Sequence, residues 1–154
     1  MPIVNEIHGD IIQIALENEF YDGLIHGANC FNTMGAGVAK LVKDNFQNAW
    51  YADQRTIAGD RRKLGRYSIA TEFDKDGDDF LVINAYTQYK TGPNADYDAV
   101  RSVFKSLDID FGGDVHLLVP LIGCGIGGLD WDVVKNIIHL ETPNLMLTVV
   151  HYKP

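Results

Sequence analysis

Cysteine is scarce in this 154-residue chain, with Cys30 and Cys124 the two present, which excludes the disulfide-dense scaffold of a small secreted domain. Positive charge is scarce too. Thirteen Lys and Arg against 21 Asp and Glu give a formal charge of −8, which excludes a broad electrostatic grip on nucleic acid and leaves any bound anion to be held locally. Serine occurs at Ser68, Ser102 and Ser106, none in a G-x-S-x-G elbow, and the five histidines show neither H-x-x-x-H nor H-E-x-x-H spacing. A serine hydrolase and a zinc site are thereby excluded, and no metal is expected. No apolar run approaches the ~18 residues of a membrane span, and Met1 to Asp10 has neither a basic nor an apolar signal region. A soluble, cytoplasmic protein with no membrane partner is expected.

What is present fits a globular core. Hydrophobic residues make up 46% and charged residues 22%, and the length suits a single domain over 1–154. At this size roughly two thirds of the unfolded surface can be buried, so neither disulfides nor metals are needed for stability.

Apolar runs bounded by turn residues alternate with helix-period stretches, the pattern of an α/β fold. Strands are predicted at Ile3 to Ile7, Leu24 to Ala28, Tyr67 to Phe73, Phe80 to Tyr86, Val115 to Leu121 and Met146 to Tyr152. Helices are predicted at Gly37 to Phe46, Asn48 to Ile57, Asp96 to Leu107 and Leu129 to Leu140, the last with Asp130 as N-cap. Asp74 to Asp79, with its Asp-Gly step, reads as a hairpin turn between two neighbouring strands, which makes the sheet mixed.

Two glycine-rich strand-to-helix turns carry the chemistry. Gly123-Cys124-Gly125-Ile126-Gly127-Gly128 matches G-x-G-x-x-G, yet only 26 residues follow it, too few for the strands a dinucleotide-binding fold builds after this motif. Its physical content survives, because such a turn exposes backbone N–H groups beside a positive helix end. The second turn follows the strand ending at Ala28, where Gly35 and Gly37 open a helix. One ligand held across both turns is expected, and a diphosphate would suit.

Other chemistries fail on spacing. A Walker A loop needs Gly before its Lys, where Ala39 stands before Lys40. A cysteine phosphatase needs Arg six residues after its nucleophile, where Ala36 and Asp130 stand. A calcium loop starting at Asp74 would need Gly and Glu where Asp79 and Ala85 stand. The residues alone leave His26 open as a base or a core histidine, Asn29 and Asn32 as sugar-binding or loop-capping, and Asp10 and Asp130 as ligand-binding or plain helix caps. Arg55, Arg61, Arg62, Lys63 and Arg66 read as a solvated turn or a patch that meets an anionic substrate, and Trp131 reads as core packing.

Taken together, these stretches resemble a macrodomain, the ADP-ribose-binding module, over nearly the whole chain. The resemblance implies a three-layer α/β/α fold around a central mixed sheet. Gly9-Asp10-Ile11 resembles the first-strand motif whose Asp reads the adenine amine; His26 to Ala39 resembles the catalytic loop around the distal ribose; Pro120 to Trp131 resembles the diphosphate loop. It implies ligand-binding roles for Asp10, Ile11, Gly35, Ala36, Gly37, Val38, Gly123, Cys124, Gly125, Ile126 and Gly127. Several of the family's catalytic side chains are replaced, by Met34 and Ala39 in the loop and by Gln88 after Thr87, where one branch carries its attacking Lys. His26 to Cys30 and Asn84 to Gln88 resemble instead the branch of the yeast ADP-ribose 1''-phosphate phosphatase. That likeness implies a cofactor-free, monomeric phosphatase with ADP-ribose or ADP-ribose 1''-phosphate as ligand and His26, Asn29 and Asn32 as its catalytic residues. A mono-ADP-ribosyl hydrolase and a non-catalytic ADP-ribose reader are the alternatives.

Overall fold

The computed structural model describes residues 3–17 and 20–152. Met1, Pro2, Lys153 and Pro154, which belong to the expected single domain, lie outside the described residues, as do Asn18 and Glu19.

Six strands form one sheet: β1 (Ile3–Gly9), β2 (Gly23–Asn29), β3 (Tyr67–Phe73), β4 (Asp79–Gln88), β5 (His116–Val119) and β6 (Met146–Tyr152). Their order is β1-β6-β5-β2-β4-β3, parallel throughout except for the β3–β4 hairpin. The expected mixed sheet is therefore present. Its hairpin turn is held by Asp74, whose Oδ1 accepts from the amides of Asp76 and Asp78 at 2.9 and 3.0 Å.

Helices α1 (Ile11–Leu16), α2 (Gly37–Asn45) and α3 (Gln47–Gln54) pack on one face, and α4 (Tyr97–Phe111) and α5 (Trp131–Glu141) on the other. Val100, Val103, Phe104 and Leu107 of α4, spaced at helical period, meet Val134, Ile137 and Ile138 of α5 in the larger core. Leu24 and Ile25 of β2 are both fully buried because helices cover both faces of that strand. Each such side chain contributes about 1.5–3 kcal/mol by leaving water. Asp96 and Asp130 cap α4 and α5 through side-chain oxygens, and Trp131 packs against the core beside them.

Two elements differ from the predicted set. Asp10 opens α1, a six-residue helix after β1, and Arg61–Lys63 form a 3-10 turn in the basic stretch. Lys63 in that turn is 8% exposed, so it is not the solvated side chain that the charge pattern suggested.

Candidate functional site

β2 and β5 are neighbours in the sheet, but the chain leaves β2 towards α2 on one face and β5 towards α5 on the other. That divergence opens a crevice at the carboxyl ends of the strands, where ligands settle in open α/β sheets. A cavity of about 890 Å³ occupies it, walled by the turn from Asn29 to Ala39 on one side and the turn from Pro120 to Gly127 on the other. Gly35, Ala36, Gly37 and Val38 line it together with Gly123, Cys124, Gly125, Ile126 and Gly127. The two turns expected to share one ligand thus face one cavity, close enough that a Cβ on Gly37 would stand 3.7 Å from the Ile126 Cδ1.

The cavity holds donors rather than charges. Among the described residues, none that lines it is Asp, Glu, Lys or Arg. The α2 N-cap is Ala36, which has no side-chain oxygen to occupy the first-turn amides. In the facing turn, Gly128 N–H donates to the Gly125 carbonyl and Leu129 N–H to the Gly123 carbonyl, but among the described residues no acceptor meets the N–H groups of Gly125, Ile126 and Gly127. Consecutive unmet amides beside a helix N-terminus form an anion-binding concavity.

Glycine is required at three positions of this turn, Gly128 among them with φ +82°. Gly123 has φ +76°, and a Cβ on Gly127 would lie 2.6 Å from the Gly123 carbonyl oxygen and 2.7 Å from the Ala95 Cβ. Gly125 has neither constraint, since a Cβ there would meet nothing within 4 Å. Cys124 donates its thiol to the Ile122 carbonyl at 3.3 Å, and burial pushes its pKa up to about 11, so it stays a thiol rather than a nucleophile.

The expected catalytic residues divide. Asn29 lines the cavity. Its Oδ1 accepts from the Phe31 amide at 2.8 Å and its Nδ2 donates to Thr33 Oγ1 at 2.7 Å, which leaves one amide hydrogen for a ligand. His26 is fully buried on the sheet face that meets α3 and does not line the cavity. Its Nε2 lies 2.6 Å from Asn84 Oδ1, while Asn84 Nδ2 donates to the Ala49 carbonyl and to Ser68 Oγ, both at 3.0 Å. Asn84 therefore accepts from His26, which fixes the Nε2–H tautomer. Burial pushes the His26 pKa down to about 4 against the Asn84 hydrogen bond. His26 is thus a core histidine, a correction to its expected role as a base acting on substrate.

Asn32 is corrected likewise. Its side chain is turned away from the cavity, donating to the Thr56 carbonyl at 2.8 Å and accepting from Lys63 Nζ. Asn32 and its near neighbour Met34 have φ of 61° and 40°, left-handed conformations that cost about 1–3 kcal/mol each in a non-glycine residue.

Asp10 and Ile11 also fall outside the lining. Asp10 Oδ1 accepts from the amides of Ile12 and Gln13 at 2.9 and 3.3 Å, the cap role, with Oδ2 outside those two bonds, and Ile11 is buried in the core on the α1–α3 face of the sheet. The residues at that end of the cavity are His8, His151 and Tyr152, which no motif had indicated. His8 stacks on His151 with centroids 5.0 Å apart, and Trp131 meets His151 edge-on at 6.4 Å. The signal that could have found them is positional, because the last residues of every parallel strand face the same crevice. Gln88 at the end of β4 lines it for the same reason, its amide donating to the carbonyls of Lys90 and Gly92.

Known proteins share this architecture. The macrodomain of Thermus aquaticus DarG superposes with a TM-score of 0.71 at 21% identity, covering 97% of each chain. Thermosipho africanus DarTG in complex with ADP-ribose superposes with a TM-score of 0.68 at 21% identity over 87% of this chain and 38% of that one. An uncharacterized 17.5 kDa protein from the tk-vs intergenic region of Enterobacteria phage T4 is 34% identical over 157 residues, covering 99% of this chain and 98% of the relative. The Macro domain family profile matches residues 25–138, from the middle of β2 into α5. A match over that span, together with a relative 34% identical along nearly the full length, makes this chain a member of the Macro domain family.

Proposed function

We propose that the cleft binds ADP-ribose and that the protein releases the terminal phosphate of ADP-ribose 1''-phosphate. The observation that carries the binding is the row of unmet amides at Gly125, Ile126 and Gly127 facing the uncapped start of α2, a site for a diphosphate without a lysine or arginine. The structural neighbour in complex with ADP-ribose supports the same ligand. With the diphosphate between the turns, the aromatic cluster of His8 and His151 receives the adenine and Asn29 meets the distal ribose.

The composition of the cleft also limits the chemistry. The described residues on its lining include no carboxylate or lysine, so none of them can form a covalent adduct by amine attack or serve as a carboxylate base. Phosphate monoester hydrolysis needs neither. Water attacks phosphorus, the bond from phosphorus to the anomeric oxygen breaks, and the water proton passes by way of the phosphate oxygens to the departing oxygen. The anomeric hydroxyl is a better leaving group than an ordinary alcohol, so positioning and amide donors supply most of what the reaction requires.

The test is release of inorganic phosphate from ADP-ribose 1''-phosphate without added metal. Turnover supports the phosphatase; tight ADP-ribose binding without release supports a reader instead, a reading that the lack of carboxylates and lysine among the described lining residues favours.

A further inference from the structure

The turn that carries Asn29 into the cleft is held from behind. Gln54 Nε2 donates to the Asn32 carbonyl at 2.8 Å, and Asn32 Nδ2 donates to the Thr56 carbonyl at 2.8 Å. Lys63 Nζ donates to Asn32 Oδ1, while the hydroxyl of Thr56, 3.2 Å from the same oxygen, gives its one hydrogen to the Asp53 carbonyl at 2.6 Å. Lys63 Nζ also donates to the Cys30 carbonyl at 3.0 Å, so one ammonium ties both ends of the Cys30–Asn32 turn. It stands 4.8 Å over the Tyr86 ring, whose hydroxyl donates to Asp53 at 2.8 Å.

Burying an ammonium is costly unless its hydrogens are used, and here two of the three reach one short turn. Burial lowers the Lys63 pKa, while the nearby Asp53 carboxylate opposes that shift. The turn needs such a clamp, because Asn32 and Met34 hold φ values that their side chains disfavour.

We propose that Lys63 is a positioning residue, whose ammonium holds the 30–32 turn in the left-handed geometry that presents Asn29 and Thr33 to the ligand. Lys63 itself stays outside the cleft; Asn29 and Thr33 line it. Its effect is therefore confined to whatever part of a ligand reaches that turn. The ligand readout rests on the ADP-ribose reading above, whereas an exchange readout does not.

The test compares wild type with Lys63→Met, which keeps the aliphatic stem and removes the ammonium. Calorimetry with ADP-ribose and with ADP, which lacks the distal ribose, separates the turn from the rest of the cleft. The expected result is an ADP-ribose affinity lower by about tenfold with ADP affinity changed by less than about twofold. Hydrogen exchange at the Phe31 amide, bonded to Asn29 Oδ1, should quicken by about tenfold. Asn32→Gly removes the accepting side chain while tolerating the same φ and leaves the Lys63 bond to the Cys30 carbonyl, so it should give a selective loss in the same direction, and the double variant should lose less than the two single losses added together.

Equal losses of ADP and ADP-ribose, or unchanged exchange at Phe31 in both variants, would overturn the proposal. If wild type binds neither ligand, the ADP-ribose reading fails and the exchange comparison alone decides the role of Lys63.

Discussion

His26 on β2 and Asn84 on β4 are register partners in parallel strands, and their side chains join at 2.6 Å beneath α3. Buried and neutral, His26 has a pKa of about 4 against an ordinary 6.5. Between those values the unfolded chain takes up a proton that the folded one refuses, so stability falls as pH drops below 6.5 and the loss is complete near pH 4. By then His26 accounts for on the order of 3 kcal/mol. Chemical denaturation of wild type and His26→Gln from pH 7.5 to 4.5 checks this: the variant should lose less stability across the window, and parallel curves would refute the assignment.

Asn84 is the hub of that layer, linking His26, Ser68 on β3 and the Ala49 carbonyl on α3. Asn84→Leu leaves the buried His26 Nε2–H without an acceptor and takes the side-chain donor from the Ala49 carbonyl, while Ser68 Oγ keeps the Tyr86 hydroxyl, so unfolding free energy should drop by about 1–3 kcal/mol, more than an exposed substitution costs. Urea denaturation measures it.

Gly127 and Gly125 should behave oppositely. A Cβ at Gly127 must displace the Gly123 carbonyl and Ala95, so Gly127→Ala should cost about 1–3 kcal/mol of stability. Gly125→Ala meets open space and should leave the melting temperature within the ordinary range of a surface change. Thermal unfolding of the two alanine variants decides it.

Because the described residues that line the cleft include no Lys or Arg, ADP-ribose affinity should depend weakly on salt. Calorimetry at 50 and 500 mM sodium chloride should differ by less than about threefold, against the steep slope of a lysine-held phosphate. A fall of an order of magnitude would place cations at the diphosphate.

Much of this was legible in the chain. Glycine, Asp and apolar period marked β2, β5, α4, α5 and both turns, because each property acts locally. What escaped is long-range. His8 and His151 meet because β1 and β6, from opposite ends of the chain, pair in register. Leu24, Ile25 and His26 form an unbroken buried run, so no alternation showed which face His26 occupies. Lys63 sat among exposed arginines, and nothing in a run of cations separates the one that turns inward. Helix α1 has six residues, too few for a helical period to register beside its Asp10 cap.

The central claim, that amides of two glycine turns hold the diphosphate of ADP-ribose, is tested most directly by calorimetric titration of wild type and Gly125→Val. A Val at this open, cavity-lining position puts its side chain into the space the diphosphate would take while leaving the turn's packing alone. The account predicts micromolar ADP-ribose binding by wild type and a loss of about a hundredfold or more in a variant that still folds. Equal binding by the two proteins, or none by wild type at millimolar ligand, would contradict it.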